Sequence, residues 1–268
     1  MAIYDCFQYF NEDHIADLRF NILNEFVDKL VIVESTTDHQ GKLKKLHFDI
    51  NKYKKFKKKI NYIIVNDTPE NIKKPHEGGE SLVEQHQRNS IIRGLTSAND
   101  NDLIILSDVD EIPDLNKLNE YDRTKYAVFS QKMFMYKLNF LNLKENNWHG
   151  SKICLKKNLR SPQWLRSLKF KEYPFWRIDK IRNLQIIKNG GWHFAYLQTP
   201  ENISKKIKSF AHGEFNKLNI TNEENIKLKI EKGKDILDRG HSLKKIEIDS
   251  SFPKYILDNK DKLKKWIV

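Results

Sequence analysis

The feature that most constrains this chain is a short apolar run, Leu103-Ile104-Ile105-Leu106, that stops abruptly at Ser107-Asp108-Val109-Asp110-Glu111. Four consecutive β-branched and leucine side chains with no polar alternation make a strand buried on both faces. Such strands belong to parallel sheets covered by helices. Acidic residues immediately past the strand then fall at the sheet edge where open α/β sheets bind ligands.

Similar runs come earlier. Residues 2–10 read as a first strand. Leu30-Val31-Ile32-Val33 ends at Glu34-Ser35, and residues 60–65 end at Asn66-Asp67-Thr68-Pro69. Ile15, Leu18, Ile22, Phe26 and Leu30 recur at spacings of three and four, the stripe of an amphipathic helix, with Asn11 or Asp13 as its cap. Ser81 and Glu84 have capping-box spacing and predict a helix to about Ser97, with Leu82, Ile91, Ile92 and Leu95 on its apolar face. The alternation predicts a Rossmann-type α/β fold, a mixed but mostly parallel sheet flanked by helices. Glu34, Asp67 and Asp108 would converge on one edge of it.

The second half is less regular. Residues 126–143 read as a long strand or hairpin. Residues 184–197 read as a strand pair broken at Asn189-Gly190-Gly191. Residues 201–211 and 222–239 read as helices. The end, 253–268, is basic, with Tyr255, Ile256, Leu263, Trp266 and Ile267 interleaved.

Two carboxylates one residue apart, as in Asp108-Val109-Asp110, can offer hard oxygen ligands to Mg²⁺ or Mn²⁺. An ion there can bridge the phosphates of a nucleotide diphosphate. The same pattern permits an aspartyl phosphatase of the haloacid dehalogenase type, with Asp108 as nucleophile. Ile112 two residues after the second Asp, and Ser107 before the first, depart from that pattern. Arg88, in Gln87-Arg88-Asn89, can reach a phosphate or brace a carboxylate. Gly190-Gly191-Trp192-His193-Phe194 combines glycines that allow close backbone approach with a candidate ligand, His193, and a ring for sugar stacking, Trp192. His212 and Glu214, within residues 209–215, add a second histidine and a carboxylate.

The net charge of +12 suits an anionic membrane surface, a nucleic acid or a phosphorylated small molecule. The lysines are scattered rather than clustered with arginines and aromatics, so no nucleic-acid partner is expected. Two cysteines, Cys6 and Cys154, exclude a disulfide framework and a four-cysteine metal site. With no basic and apolar leader after Met1 and no long apolar run, the expected location is cytoplasmic.

These pieces together resemble glycosyltransferase family 17. The resemblance covers Tyr4-Asp5-Cys6-Phe7 with Phe10-Asn11-Glu12, Val33-Glu34-Ser35, Gly41-Lys42 through Leu46 and Phe48, and Gln87-Arg88-Asn89. It continues through residues 103–113, Gly190-Gly191-Trp192-His193-Phe194 and residues 209–215. It implies a GT-A-like fold and inverting transfer from a UDP-sugar, typically UDP-N-acetylglucosamine, with Mn²⁺ (or Mg²⁺) at Asp108 and Asp110. Residues 1–245 would form one domain, with a nucleotide-sugar half (1–115) and an acceptor-side half (116–245). Residues 246–268 would be a basic tail or helix.

On that reading Glu34 and Ser35 contact the nucleoside, and Arg88 supports the diphosphate or fixes the Asp108 loop. Asp110 is the direct metal ligand, Asp108 ligates directly or through water, and His193 or His212 completes the metal or phosphate contacts. Glu111 and Glu214 are the candidate bases, with Asp179 and Glu172 as outsiders. Trp192 and Trp176 offer an acceptor platform. The acceptor would be a glycan, polysaccharide or lipid-linked saccharide. Residues 254–268 would touch an anionic membrane peripherally as a basic amphipathic segment.

Overall fold

The computed structural model describes residues 1–74, 81–171, 174–178, 181–209 and 218–268. The apolar runs become β1 (Ile3–Gln8), β2 (Lys29–Ser35), β3 (Ile60–Val65) and β4 (Leu103–Asp108). All four pair in parallel, in the order β3-β2-β1-β4. Alternate side chains of β4 enter different cores. Leu103 and Ile105 join one cluster with Phe7, Leu18 and Phe20, and Ile104 and Leu106 join another with Val31, Ile91 and Leu165. Burial on both faces is why these strands carry no polar alternation.

The second half is mixed. It adds β5 (Glu111–Pro113), β6 (Tyr126–Met135), β7 (Phe140–Asn142), β8 (Trp148–Leu155), β9 (Leu184–Ile187), β10 (Gly191–Ala195) and β11 (Leu243–Lys245). β8 inserts antiparallel between β4 and β6, and β6 turns back into β7 as the expected hairpin. β9 and β10 do not pair with each other. Both run parallel to β6, one after the other along its length. The glycines at their junction permit this. A Cβ on Gly191, at φ +138°, would stand 2.2 Å from the Ile112 carbonyl oxygen, and one on Gly190 would stand 2.7 Å from that of Ile187.

The helices are α1 (Asp13–Leu23), α2 (Leu82–Asn89), α3 (Pro162–Ser167), α4 (Pro200–Ser209), α5 (Leu218–Thr221), α6 (Glu223–Glu231) and α7 (Lys254–Asp258). Neither Asn11 nor Asp13 caps α1. Its N-cap is Glu12, without a side-chain bond, and Asp13 instead accepts from the Tyr9 and Tyr53 hydroxyls. Ser81 does cap α2, accepting from the Glu84 amide. After Asn89 the chain tightens into a 3₁₀ turn through Leu95. The change from 3.6 to 3 residues per turn breaks the expected stripe. Val83, Ile91 and Leu95 are buried, whereas Leu82 and Ile92 are exposed. The helix expected over 222–239 ends at Glu231, where Gly233 turns the chain at φ +59°.

The C-terminal tail is part of the main core. Phe252 and Ile256 are buried there, with Ile246, Ile248, Leu263, Trp266 and Ile267 packed against it. The amphipathic membrane segment expected over 254–268 is therefore corrected: its apolar residues face inward. No helix among the described residues is long and apolar enough to cross a membrane. Trp266 stacks on His14 at 4.7 Å, and the His14 Nε2–H donates to the Leu197 carbonyl.

Burial, reinforced by the Lys206 and Lys265 charges, lowers the His14 pKa from 6.5 to about 4. Within that window the unfolded chain binds a proton that folded His14 refuses, so stability falls as pH falls from 6.5 and levels off below 4. Urea midpoints measured across the window should follow this slope, and His14→Asn should flatten it.

Candidate active site

The chain leaves β1 toward β2 on one side and returns to β4 on the other, so the strand order reverses at β1. Ligands of open α/β sheets bind at such a point, beyond the carboxyl ends of the strands. A cleft of about 340 Å³ opens there. Gln8 ends β1 directly beside Asp108 at the end of β4. Thr37, Asp38 and His39 after β2, and Gln87 and Arg88 from α2, complete that side of the cleft.

One buried residue fixes the loop after β4. Arg19, on the covered face of α1, is fully buried with Asp5 of β1. Its Nε and Nη2 donate to the two Asp5 carboxylate oxygens at 2.7 and 2.5 Å. Its Nη1 donates to the carbonyls of Asp108, Val109 and Glu111 at 3.2, 3.3 and 2.6 Å. With its carbonyls held from below, the loop turns its carboxylates upward. The Phe194 amide of β10 adds a bond to the Asp110 carbonyl at 2.9 Å.

Asp108 is the more accessible carboxylate, its side chain 38% exposed. Arg166 of α3 donates to it at 2.6 Å, and Arg88 lies 3.8 Å away, itself braced by Glu84 and Gln163. Partial desolvation in the cleft pushes the Asp108 pKa up, but the Arg166 and Arg88 charges outweigh it and hold it below the ordinary value. Asp110 faces different cations. His193 Nε2 stands 3.5 Å from it and Lys206 Nζ 3.7 Å, and Lys206 also pairs with Glu12 at 2.7 Å. Burial again opposes ionisation, yet Lys206 and His193 keep Asp110 well below the usual carboxylate range. Burial would lower His193, but the charges of Asp110, Glu111 and Asp108 raise it instead.

This donor set fits a divalent cation in part. Asp108 and Asp110 both line the cleft, and the buried Nδ1 of His193 has no partner among the described residues. No three carboxylate, histidine or cysteine groups converge as a cage among those residues. Mg²⁺-like ions are commonly held this way, by one or two carboxylates with water and substrate phosphates supplying the rest.

Several expected residues stand elsewhere. Glu111 is fully buried and does not line the cleft. Its carboxylate accepts from the Asp108 amide, Trp148 Nε1 and Arg166, so it is a brace for the loop rather than a base. Glu34 is also fully buried. It accepts from Lys44, the amides of His47 and Phe48, and the Tyr62 hydroxyl, which ties down the 44–48 segment instead of meeting a nucleoside. Ser35 is buried too and accepts from the Thr37 amide. Asp67 pairs with Arg93 on the surface. Trp192 is core, its Nε1 bound to the Ser251 carbonyl, and Trp176 is 65% exposed beside Phe175, outside the cleft. His212, Glu214, Glu172 and Asp179 lie outside the described residues.

Trp148, Arg166, Tyr196, Lys206 and Arg239, which line the cleft, and Arg19, which braces its loop, were not among the residues expected from the sequence. Only Arg19 carried a signal, a charge at a position the α1 stripe buries, matched by Asp5 in the middle of a strand. Trp148, and not Trp192, lines the cleft, its ring 5.0 Å from that of His193.

The sequence model of glycosyltransferase family 17 matches residues 1–241. The chain belongs to glycosyltransferase family 17. A comparison with curated proteins finds no match. A family 17 glycosyltransferase moves a sugar from a nucleotide-sugar donor to a glycan acceptor, which sets aside the phosphatase and nucleic-acid readings. The match takes in every element that frames the cleft and stops before the tail that packs into the core.

Replacing Arg19 by Met should leave Asp5 buried without a partner and cost about 3–5 kcal/mol of stability, the range for breaking a buried ion pair. Urea denaturation measures this. A loss under about 1 kcal/mol would place the pair among the energetically silent ones.

Proposed function

We propose that the cleft binds a UDP-sugar together with Mn²⁺ (or Mg²⁺) at Asp108 and Asp110, and transfers the sugar, N-acetylglucosamine, with inversion to a saccharide hydroxyl. The observation that carries this reading is the pair of cleft-facing carboxylates at the end of β4, at the strand-order switch, with Arg88, Arg166 and Lys206 around them. The β3-β2-β1-β4 order with this pair at its edge supports a GT-A-like fold. The family supports the donor class, and the resemblance noted above supports UDP-N-acetylglucosamine.

A divalent ion, when bound, neutralises charge developing on the departing diphosphate. The chain's own residues do the rest. Arg88 and Arg166 fix the direction of Asp108 and offer donors to phosphate oxygens. Lys206 and His193 keep Asp110 ionised. Trp148 offers a ring face to the sugar. In an inverting transfer the acceptor oxygen attacks the anomeric carbon from the face opposite UDP. The new glycosidic bond forms as the bond to the phosphate oxygen breaks, and UDP takes the electron pair. A carboxylate takes the hydroxyl proton. Glu12, which lines the cleft, and Glu214 are the two candidates for that base.

A UDP-sugar should raise the melting temperature only with Mn²⁺ or Mg²⁺ present, by about 2.7 kcal/mol of stabilisation at a hundredfold excess over Kd. Asp110→Asn should abolish the shift. An equal shift without metal, or one retained in the variant, would contradict the reading.

Of Glu12→Gln and Glu214→Gln, the one that removes the base should lower kcat by about 10²–10⁴ while leaving UDP binding intact. Steady-state rates with calorimetric UDP titrations separate the two. Unchanged kcat in both would remove both candidates.

A further inference from the structure

One wall of the cleft is built from residues the donor chemistry does not use. Four non-glycine residues among those described have positive φ, and three belong to this wall or its support: Tyr136 (65°), Tyr196 (53°) and Asp238 (55°). Side chains rarely adopt this conformation, and such residues cluster at functional sites. The Tyr136 and Tyr196 rings lie 6.3 Å apart. The Tyr136 hydroxyl accepts from the Ile236 amide and donates to the Lys234 carbonyl, pinning the segment that carries Arg239 to the end of β6.

Arg239 follows the left-handed Asp238 and lines the cleft. Buried Asp235 takes its Nε and Nη2 at 2.9 and 3.1 Å, which fixes the guanidinium plane. Among the described residues none accepts from Nη1. Arg239 pairs with neither Asp108 nor Asp110, whose cations are Arg166, Arg88, His193 and Lys206. Tyr196 joins the two regions: it lines the cleft with Arg239, and Lys206, which stands 3.7 Å from Asp110, lies over its ring at 5.9 Å. A guanidinium held on one edge by a carboxylate presents its other edge as a directed donor, a geometry suited to carboxylate or phosphate oxygens.

We propose that Tyr196 and Arg239 form part of the acceptor subsite, and that the acceptor saccharide carries an anionic oxygen group, a carboxylate or a phosphate, which Arg239 binds. The inference rests on the reading of the cleft as the transferase site. Tyr196 supplies a ring on the cleft wall, and Arg239 selects the charged acceptor over a neutral one.

The test is calorimetric binding to the full chain saturated with Mn²⁺ and UDP, so that the donor phosphate site is filled. The probes are a methyl hexuronide, a hexose phosphate and a neutral methyl hexoside. At least one charged probe should bind about tenfold more tightly than the neutral one. A preference for the hexuronide alone assigns a carboxylate, and one for the hexose phosphate alone assigns a phosphate.

Arg239→Gln should erase the preference while leaving UDP affinity within about twofold. Arg239→Lys, which keeps the charge but not the fork, should retain part of it, and melting curves of both variants establish that they fold. Equal or absent binding of all three probes overturns the inference, as does a preference that survives Arg239→Gln. A loss of UDP affinity in Arg239→Gln overturns it differently, by assigning Arg239 to the donor. Failure of the unmodified chain to bind UDP at all overturns the transferase reading itself.

Discussion

Arg19 holds the site and the fold to the same position. It is buried beside β1, an inner strand of the parallel half, clamps Asp5, and donates through Nη1 to three carbonyls of the loop after β4. A buried charge pair contributes little net stability when intact but is costly to break. Here the pair fixes a direction. The loop's backbone oxygens are bound below it, so Asp108 and Asp110 face the cleft, and Glu111 turns back to brace the Asp108 amide. β10 closes the same loop from the other side, through the Phe194 amide and the register that sets His193 opposite Glu111.

Above that loop, charge is arranged in separate pairs. Asp108 has its arginines from α2 and α3, and Asp110 has His193 and Lys206 from β10 and α4. Four elements distant in sequence thus keep two neighbouring carboxylates ionised despite their desolvation and mutual repulsion. The arrangement suits a site that receives a phosphate-bearing ligand with its counter-ion, because the carboxylates and cations are both in place before either arrives.

The parallel half of the fold was legible because its strands are buried on both faces and carry uninterrupted apolar runs. The Asp108-Val109-Asp110 segment was legible because it interrupts the clearest of these. The second half was harder to read. β9 and β10 follow one another along β6, a topology set by the Gly191 backbone against Ile112 and not by any periodic pattern. Site residues such as Arg166 and Lys206 sit on short helices with no sequence mark beyond ordinary basic residues. Strand-end position misled for Glu34 and Glu111, since a carboxylate at a strand end can equally fold back to satisfy nearby amides, as both do.

On the proposed function, this loop presents Asp108 and Asp110 to a metal-bound nucleotide. Anomalous diffraction from crystals grown with Mn²⁺ and UDP tests it most directly. A manganese peak is expected within coordination distance of the Asp110 carboxylate, with Asp108 bound directly or through water and UDP in the same cleft. UDP bound in the cleft with no manganese peak, or a peak away from both carboxylates, would contradict it.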